Sequence, residues 1–292
     1  MKKSISRRIF EVFNVCFMLG ICVVMLYPFL FVLAASLSSN EAVIRGMVGI
    51  IPQGMNFNAY DAVLHYPYIW SGYRNTIMYT VCGTAVNLIL TVAGAYALSR
   101  NKTQFYGKSF FTFMITLTMF FGGGLIPTYL VIRSYGMLNT FWVMIIPGAI
   151  STWNMVVMRT FFQNIPSELE EAAIIDGCND LGVLVRIILP LSTASLMTIG
   201  MFYAVGHWNS WFNALIYLRD YNLFPLQLWL RTIVLQSQIT DVASMATEQL
   251  ENAVSDTIKY ATIIVAVVPI LCVYPFVQKY FVKGVMVGSI KG

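Results

Sequence analysis

Apolar residues along this 292-residue chain form long runs that charged residues interrupt only at wide intervals. Between Lys259 and Lys279, for example, no charged residue occurs. A helix needs about 20 apolar residues to cross the hydrocarbon layer of a membrane. The pattern therefore predicts an all-α integral membrane protein that forms one domain over residues 1–292, with six spans at residues 12–37, 75–98, 109–132, 139–158, 191–218 and 260–277.

The composition agrees with a chain built for lipid. Hydrophobic residues make up 58% of the sequence and charged residues 11%, against roughly half and a quarter in soluble domains. The first apolar run is longer than the roughly 7–15 residues of a signal-peptide core and lacks an evident cleavage site. We therefore expect it to be a retained helix.

The distribution of Lys and Arg predicts the orientation, because cytoplasmic loops retain an excess of these residues. With the N-terminus inside, twelve of the 18 Lys and Arg residues lie on the inner side and six on the outer side. We therefore expect a multi-pass membrane protein with both termini in the cytoplasm. This topology explains the net charge of +5 without a nucleic-acid partner.

Three segments of the sequence depart from the pattern of uninterrupted apolar spans. Gly122–Gly124 and Pro127 break the third run, so residues 126–135 are expected to be a loop at the outer surface, with a short re-entrant piece as the alternative. The aromatic residues of the outer loop 38–74 suit the membrane interface, with contact to an external partner as the alternative. The acidic loop 219–259 is long enough for docking of an extracellular partner.

Ionisable chemistry is sparse. None of the predicted spans contains Asp, Glu, Lys or Arg, which mark ion paths in membrane carriers, so an ion-driven carrier is disfavoured. The five cysteines include no CxxC pair, and four of them lie within spans, so neither a disulfide framework nor a metal site is expected. No GxxxxGK[ST] phosphate-binding loop occurs, so this chain is not expected to bind ATP by that mechanism.

The loop 165–190 between the fourth and fifth spans carries the clearest local pattern. Ser167 and Glu170 form an S-x-x-E capping box, which predicts a helix from Glu168. Leu169, Ala172 and Ala173 have the spacing of one apolar face, and Gly177 is suited to end the helix. Asp180 is expected to cap a second helix that runs to Pro190. We therefore expect the loop to form a short helix that lies across the cytoplasmic surface.

Here the sequence resembles a known family. Glu171-Ala172-Ala173, followed at matching spacing by Gly177, Ile187 and Leu189-Pro190, is similar to the EAA loop of ATP-binding-cassette (ABC) importer permeases. Segments that resemble the sugar-importer branch are Ala95 to Arg100, Phe161-Phe162, Ile165-Pro166, Ile175 to Gly177, and Trp208-Asn209 with Phe212. The resemblance covers nearly the whole chain. It is closest to the group of sugar-importer permeases similar to the second maltose permease subunit and, within that group, to permeases for oligosaccharides or polysaccharide fragments. This resemblance implies a location in the bacterial inner membrane.

The resemblance implies a type I ABC importer permease in which the helix from Ser167 to Gly177 is the coupling helix. The residues it assigns to contact with the ATPase are Glu168, Glu171, Ala172, Ala173, Asp176 and Gly177. The implied partners are a second homologous permease, two ATPase subunits, an extracellular solute-binding protein, an oligosaccharide substrate and membrane lipid. This chain is expected to bind no cofactor and to be no enzyme, with ATP and Mg held by the ATPase subunits.

Candidates for the substrate path come from the residue types themselves. Trp rings stack on the apolar faces of sugars, while amides and imidazoles bond hydroxyl groups. The candidates are His207, Trp208, Asn209 and Trp211 in the fifth span, and Trp153 and Asn154 in the fourth. Helix packing explains the same residues equally well, and for His207 a hydrogen bond within the bundle is the more common arrangement.

Two other functions stay open at this stage. An importer of amino acids, peptides or phosphate esters would share the coupling loop, although the aromatic path without buried charge favours a neutral or sparsely charged sugar. A membrane scaffold or sensor would need no ATPase contact, so co-purification of an ATPase would distinguish it.

Overall fold

The computed structural model describes residues 5–100, 106–235 and 256–289, and these form helices with no β-strand. Both chain ends and most of the acidic loop 219–259, with Asp241, Glu248 and Glu251, lie outside the described residues. The docking role expected for that loop stays a prediction. The α-helices are α1 (Ile5–Ser36), α2 (Asn40–Ile44), α3 (Asn58–Leu64), α4 (Ile69–Ser99), α5 (Lys108–Leu117), α6 (Leu125–Ser134), α7 (Thr152–Gln163), α8 (Ser167–Ile175), α9 (Asp180–Val183), α10 (Leu189–Leu191), α11 (Thr193–Trp208), α12 (Phe212–Tyr217), α13 (Leu226–Leu235) and α14 (Asp256–Ser289).

The chain divides into two compact units. One comprises Met1–Ile69 with Trp229–Ile270, and the other comprises Trp70–Leu228 with Leu271–Gly292. In the first unit, α1 exposes large apolar side chains along its length, and none of its most apolar 18-residue window is buried inside the chain. At the end of α1, Ala34 and Ala35 pack with Ala42 and Val48. The second unit contains the loop 165–190 and all candidate residues of the substrate path.

Three single helices in the described residues are long and apolar enough to cross a membrane: Ile9–Ser36, Ile69–Ser99 and Thr257–Pro275. Two bent pairs also qualify when each is taken as one span. Phe141–Gly148 with Thr152–Gln163 bends by 54°, and Asp180–Leu191 with Thr193–Trp208 bends by 85°. The predicted fourth span is therefore an interrupted helix. The predicted fifth span, residues 191–218, begins at the 85° bend and contains α11 and α12. The number of six spans stays a prediction.

The predicted third span is divided between two ten-residue helices, α5 and α6. The expectation of a loop over residues 126–135 was wrong, because α6 occupies most of that segment. Gly124, which precedes α6, has φ +77°, a conformation that glycine adopts without strain. Pro127 lies in the first turn of α6, where its missing N–H costs no helical hydrogen bond.

Candidate functional site

The helix α8 begins differently from the sequence prediction. It starts at Ser167, with Pro166 as the preceding cap residue and no side-chain cap hydrogen bond, so the predicted capping box was wrong. The carboxylate of Glu170 instead binds Arg100, which follows the end of α4. An ion pair with a distant residue therefore replaces the local hydrogen bond that the S-x-x-E pattern indicated.

The end of α8 agrees with the sequence prediction. Gly177 has φ +83° and donates its N–H to the carbonyl of Ile174 at 2.9 Å. The N–H of Cys178 reaches back to the carbonyl of Ala173 at 2.9 Å. These two bonds form a Schellman motif, which satisfies carbonyls at the end of the helix and reverses the chain direction.

The second helix of the loop, α9, is capped one residue earlier than predicted. Asn179, not Asp180, supplies the cap, since its Oδ1 accepts the N–H of Gly182 at 2.8 Å. A π-helical turn, Leu184–Ile188, then leads into α10 and the bend before α11. Pro190 within α10 lacks an N–H, so the irregular hydrogen bonding in this stretch has a local cause.

The two faces of α8 have different surroundings. Ala173 is only 6% exposed and belongs to an apolar cluster with residues that include Leu98, Phe162 and Val183. Glu168, Glu171, Ala172 and Ile175 share the opposite face at helical spacing, and all four are exposed. The predicted apolar face of Leu169, Ala172 and Ala173 is thus buried only at Ala173.

The exposed face combines acidic and apolar groups. Ile175 is 85% exposed, and Asp176 and Gly177 beside it are exposed as well. Five of the six residues assigned to contact with an ATPase are exposed, namely Glu168, Glu171, Ala172, Asp176 and Gly177. The contact itself stays a prediction.

A buried polar network lies where the predicted second, fourth and fifth spans meet in the second unit. Asn87, with no exposed surface, donates from Nδ2 to the carbonyls of Gly148 and Ala149 at 2.7 and 2.8 Å. Its Oδ1 lies 2.7 Å from Nε2 of His207. Because the Asn87 amide group already donates twice, Oδ1 is the acceptor and His207 carries the proton on Nε2.

A second part of the network binds the backbone at Ser151, just after the two carbonyls that Asn87 binds. The hydroxyl of Tyr203 accepts the N–H of Ser151 at 3.0 Å and lies 2.7 Å from Oγ1 of Thr91. Backbone groups released by a break at membrane depth need such partners, because lipid supplies none. Sequence analysis missed Asn87, Thr91 and Tyr203, although Asn87 and Thr91 lie about one helical turn apart within the predicted second span.

The other path candidates lie in diverse surroundings. Trp208 is half-buried, and its indole N–H is buried without a hydrogen-bond partner among the described residues. Asn209 is exposed but donates its amide to the carbonyl of Val205 on its own helix at 3.0 Å. Trp211 packs edge-on against Phe212, with 5.5 Å between ring centroids.

The two candidates in the fourth span differ from each other. Trp153 is 62% exposed and Asn154 is 8% exposed, although both lie at the start of α7. The structure therefore places His207 in a helix-packing network and leaves Trp153 accessible. Contact of any of these residues with a sugar stays a prediction.

No protein-family model matches the chain. It is 40% identical over 289 residues to the polygalacturonan/rhamnogalacturonan transport system permease protein YtcP of Bacillus subtilis (strain 168), covering 98% of this chain and all of that protein. It is also 40% identical to Protein LplC of the same organism, over 100% of this chain and 98% of that protein.

A solved structure extends the similarity to the fold. A chain from a crystal structure described as a bacterial ABC transporter involved in the import of the acidic polysaccharide alginate superposes with a TM-score of 0.83. It is 36% identical, with 96% of this chain and 99% of that chain covered. With relatives this similar over its whole length and with the surface helix α8 on the EAA segment, the chain belongs to the permease subunits of bacterial carbohydrate ABC importers, the non-catalytic membrane components of these transporters.

Proposed function

We propose that this permease subunit imports oligosaccharides released from acidic polysaccharides, and that α8 is the element through which a separate ATPase drives it. As in ABC importers generally, a second permease, an ATPase and a binding protein are the partners. We assign one related permease, two ATPase subunits and one extracellular binding protein to the complex. ATP and Mg belong to the ATPase subunits, and this chain forms half of the path.

The observation that carries the coupling role is the contrast between the two faces of α8. Ala173 and Glu170 fasten the helix to its own unit, whereas Glu168, Glu171 and Ile175 remain bare. A helix fixed on one side and open on the other can receive a push from a partner and pass it to the chain behind it. A scaffold without an ATPase would have no use for this arrangement.

The mechanism follows from this attachment. When ATP brings the two ATPase subunits together, α8 of each permease moves with its ATPase. The bundles then rock between inward-facing and outward-facing states, a rigid-body switch. The sugar leaves the binding protein, occupies the cavity between the permeases and is released inside when hydrolysis resets the pair.

The proposed substrate class rests on the relatives. The names of YtcP and of the alginate transporter both refer to acidic polysaccharides. The predicted spans of this chain carry no acidic side chain that would repel a uronate. An importer of amino acids, peptides or phosphate esters is not favoured, since the names of YtcP and of the alginate transporter refer to carbohydrates.

The test is uptake by the tagged complex purified with its own partners and reconstituted in proteoliposomes. We expect ATP-dependent uptake of galacturonate oligosaccharides in the presence of the binding protein, and much weaker uptake of malto-oligosaccharides of equal length. Preference for the neutral sugars would contradict the acidic substrate class. Failure of any ATPase to co-purify with the tagged chain would contradict the coupling role.

A further inference from the structure

Arg100 directly follows the end of α4, and its guanidinium group faces α8. Both terminal nitrogens bind the carboxylate of Glu170, with Nη2 at 2.8 Å from Oε1. The two side chains are only 15% and 14% exposed. This bidentate pair is therefore largely shielded from water and from salt, unlike the exposed ion pairs of the chain such as Arg45 with Glu41.

The last turn of α4 also contacts α9, the second helix of the loop 165–190. The guanidinium carbon of Arg100 lies 4.1 Å from the centre of the Tyr96 ring, a cation–π arrangement that fixes the orientation of the guanidinium plane. The Tyr96 hydroxyl donates to the carbonyl of Asp180, at the start of α9, at 3.0 Å. One turn of α4 thus contacts both α8 and α9.

The start of α5 is fastened at the same place. The ammonium group of Lys108 donates to the carbonyl of Arg100 and reaches that of Ser99 at 3.5 Å. These carbonyls belong to the end of α4, where a cation is favoured by the helix dipole. Arg100 therefore lies at a junction of α4, α5 and α8.

Apolar packing alone would fasten α8 less directionally. Ala173 packs in a cluster with Leu98 and Phe162, but a methyl group has no preferred direction of contact and permits sliding. A fork of two parallel hydrogen bonds between guanidinium and carboxylate resists sliding, tilting and separation together. The pair suits an element that has to transmit both push and pull.

We propose that Arg100 is a positioning residue that clamps α8, through Glu170, to the end of α4 and carries the displacement of α8 into that span. The proposal rests on the proposed function, since it takes α8 to be the element that an ATPase moves. It adds a specific route by which the displacement reaches a long apolar helix. The Tyr96 ring orients the guanidinium group of Arg100, which donates to the carboxylate of Glu170.

The test is a charge swap in the reconstituted complex. Arg100→Glu and Glu170→Arg each place like charges together, so we expect uptake of galacturonate oligosaccharides to fall at least tenfold. ATP hydrolysis should continue but no longer respond to the loaded binding protein. The double variant Arg100→Glu with Glu170→Arg should recover a substantial part of both uptake and stimulation, because it restores opposite charges.

Two further variants keep the test sharp if a charge reversal fails to assemble. Arg100→Lys retains the charge but loses the fork and most of the stacking on Tyr96, so stimulation should fall to an intermediate level at normal assembly. Arg133→Glu reverses a positive charge at an exposed position on α6, away from α8, and should retain full uptake. A lysine variant with wild-type coupling, or a double variant no better than the single ones, would overturn the proposal.

A Glu171→Lys variant separates this proposal from the proposed function. If Glu171→Lys stays fully coupled, the docking of α8 on an ATPase is contradicted. If Glu171→Lys uncouples while every Arg100 variant stays coupled, only the clamp is overturned. Uptake that is absent from the wild-type complex would count against the substrate class alone.

Discussion

At the scale of single residues, the exposed face of α8 depends on Glu171. Its carboxylate lies among the acidic and apolar groups of that face and is exposed. We predict that Glu171→Lys leaves membrane insertion intact but abolishes stimulation of ATP hydrolysis by the loaded binding protein, because the charge at the proposed contact is reversed. Hydrolysis and uptake are to be measured on one preparation.

The matched control for that variant is Glu41→Lys, which reverses an exposed charge in the loop 38–74. It should leave coupling unchanged. A companion variant, Gly177→Pro, should also uncouple, since proline cannot adopt φ +83° and lacks the N–H that bonds Ile174. Equal coupling in Glu171→Lys and wild type would refute the assignment of Glu171.

Gly83 allows the close approach of α11 to α4. A Cβ at this position would lie 2.5 Å from Cε1 and 2.8 Å from Cδ2 of His207, closer than real contacts permit. We predict that Gly83→Ala lowers the thermal unfolding midpoint of the purified complex, because the His207 ring would be displaced from Asn87. In a His207→Ala background, the same change should cost much less.

That double-mutant comparison isolates the steric term, since coupling between two substitutions in contact appears as non-additivity. Gly20, where an added Cβ meets no atom within 4 Å, provides a control for the Gly→Ala change itself. Additive effects at positions 83 and 207 would show that the ring does not limit the approach of the helices.

The aromatic candidates of the path are also a matter of single side chains. We predict that Trp208→Ala and Trp211→Ala each weaken uptake several-fold without loss of assembly or basal hydrolysis, because one aromatic contact contributes on the order of 1 kcal/mol. Trp142→Ala, at an exposed ring outside the candidate set, is the comparison. Unchanged uptake kinetics in both variants at normal expression would show that these rings only pack helices.

At the scale of elements, the break in the fourth span is supported from the neighbouring helix. Asn87 alone satisfies two carbonyls at that break and one nitrogen of His207. We predict that Asn87→Leu destabilises the subunit strongly, since each buried polar group left without a partner costs about 1–3 kcal/mol. The unfolding midpoint in detergent measures this loss.

The control for Asn87→Leu is the same substitution at Asn213, which is exposed on α12. It should leave the midpoint within experimental scatter. A midpoint for Asn87→Leu equal to that of Asn213→Leu would mean that the break needs no support from α4.

The elements also show what a sequence can predict. Long apolar runs identified α1, α4 and α14, because hydrophobicity alone determines whether a helix can span lipid. Gly177 identified the end of α8, because the left-handed conformation is a local property of glycine. Both predictions depend on residues that are close together in the chain.

The predictions that failed have two causes, a partner far away in the chain and a local signal that was misinterpreted. Ser167 and Glu170 have the spacing of a capping box, but Arg100, 70 positions away, takes the carboxylate. The loop expected at 126–135 is the helix α6, since glycine ends a helix without preventing another from starting. The hydrogen bond within the bundle that was considered more common for His207 is present, but its partner Asn87 lies 120 positions away and the span pattern did not distinguish it.

At the scale of the whole molecule, the orientation in the membrane stays a prediction from charge. We expect a Cys introduced at Ser134 to react with an impermeant maleimide added to intact cells, and a Cys introduced at Ser167 to react only after the cells are opened. Both residues are exposed, so accessibility within the chain does not decide the result. The native cysteines are first replaced by Ser or Ala. The reverse labelling pattern would overturn the topology.

The bare surface of α1 has a consequence for how this chain tolerates mutation. Among the described residues, the most apolar stretch of α1 has no buried residue, so exchanges among Leu, Ile, Val and Phe there should be nearly silent wherever lipid is the neighbour. Helix α7, which buries Met155, Met158 and Phe162, has no such freedom. A saturation-mutagenesis profile of α1 therefore acts as a map, on which each position that rejects such exchanges marks a contact with another subunit.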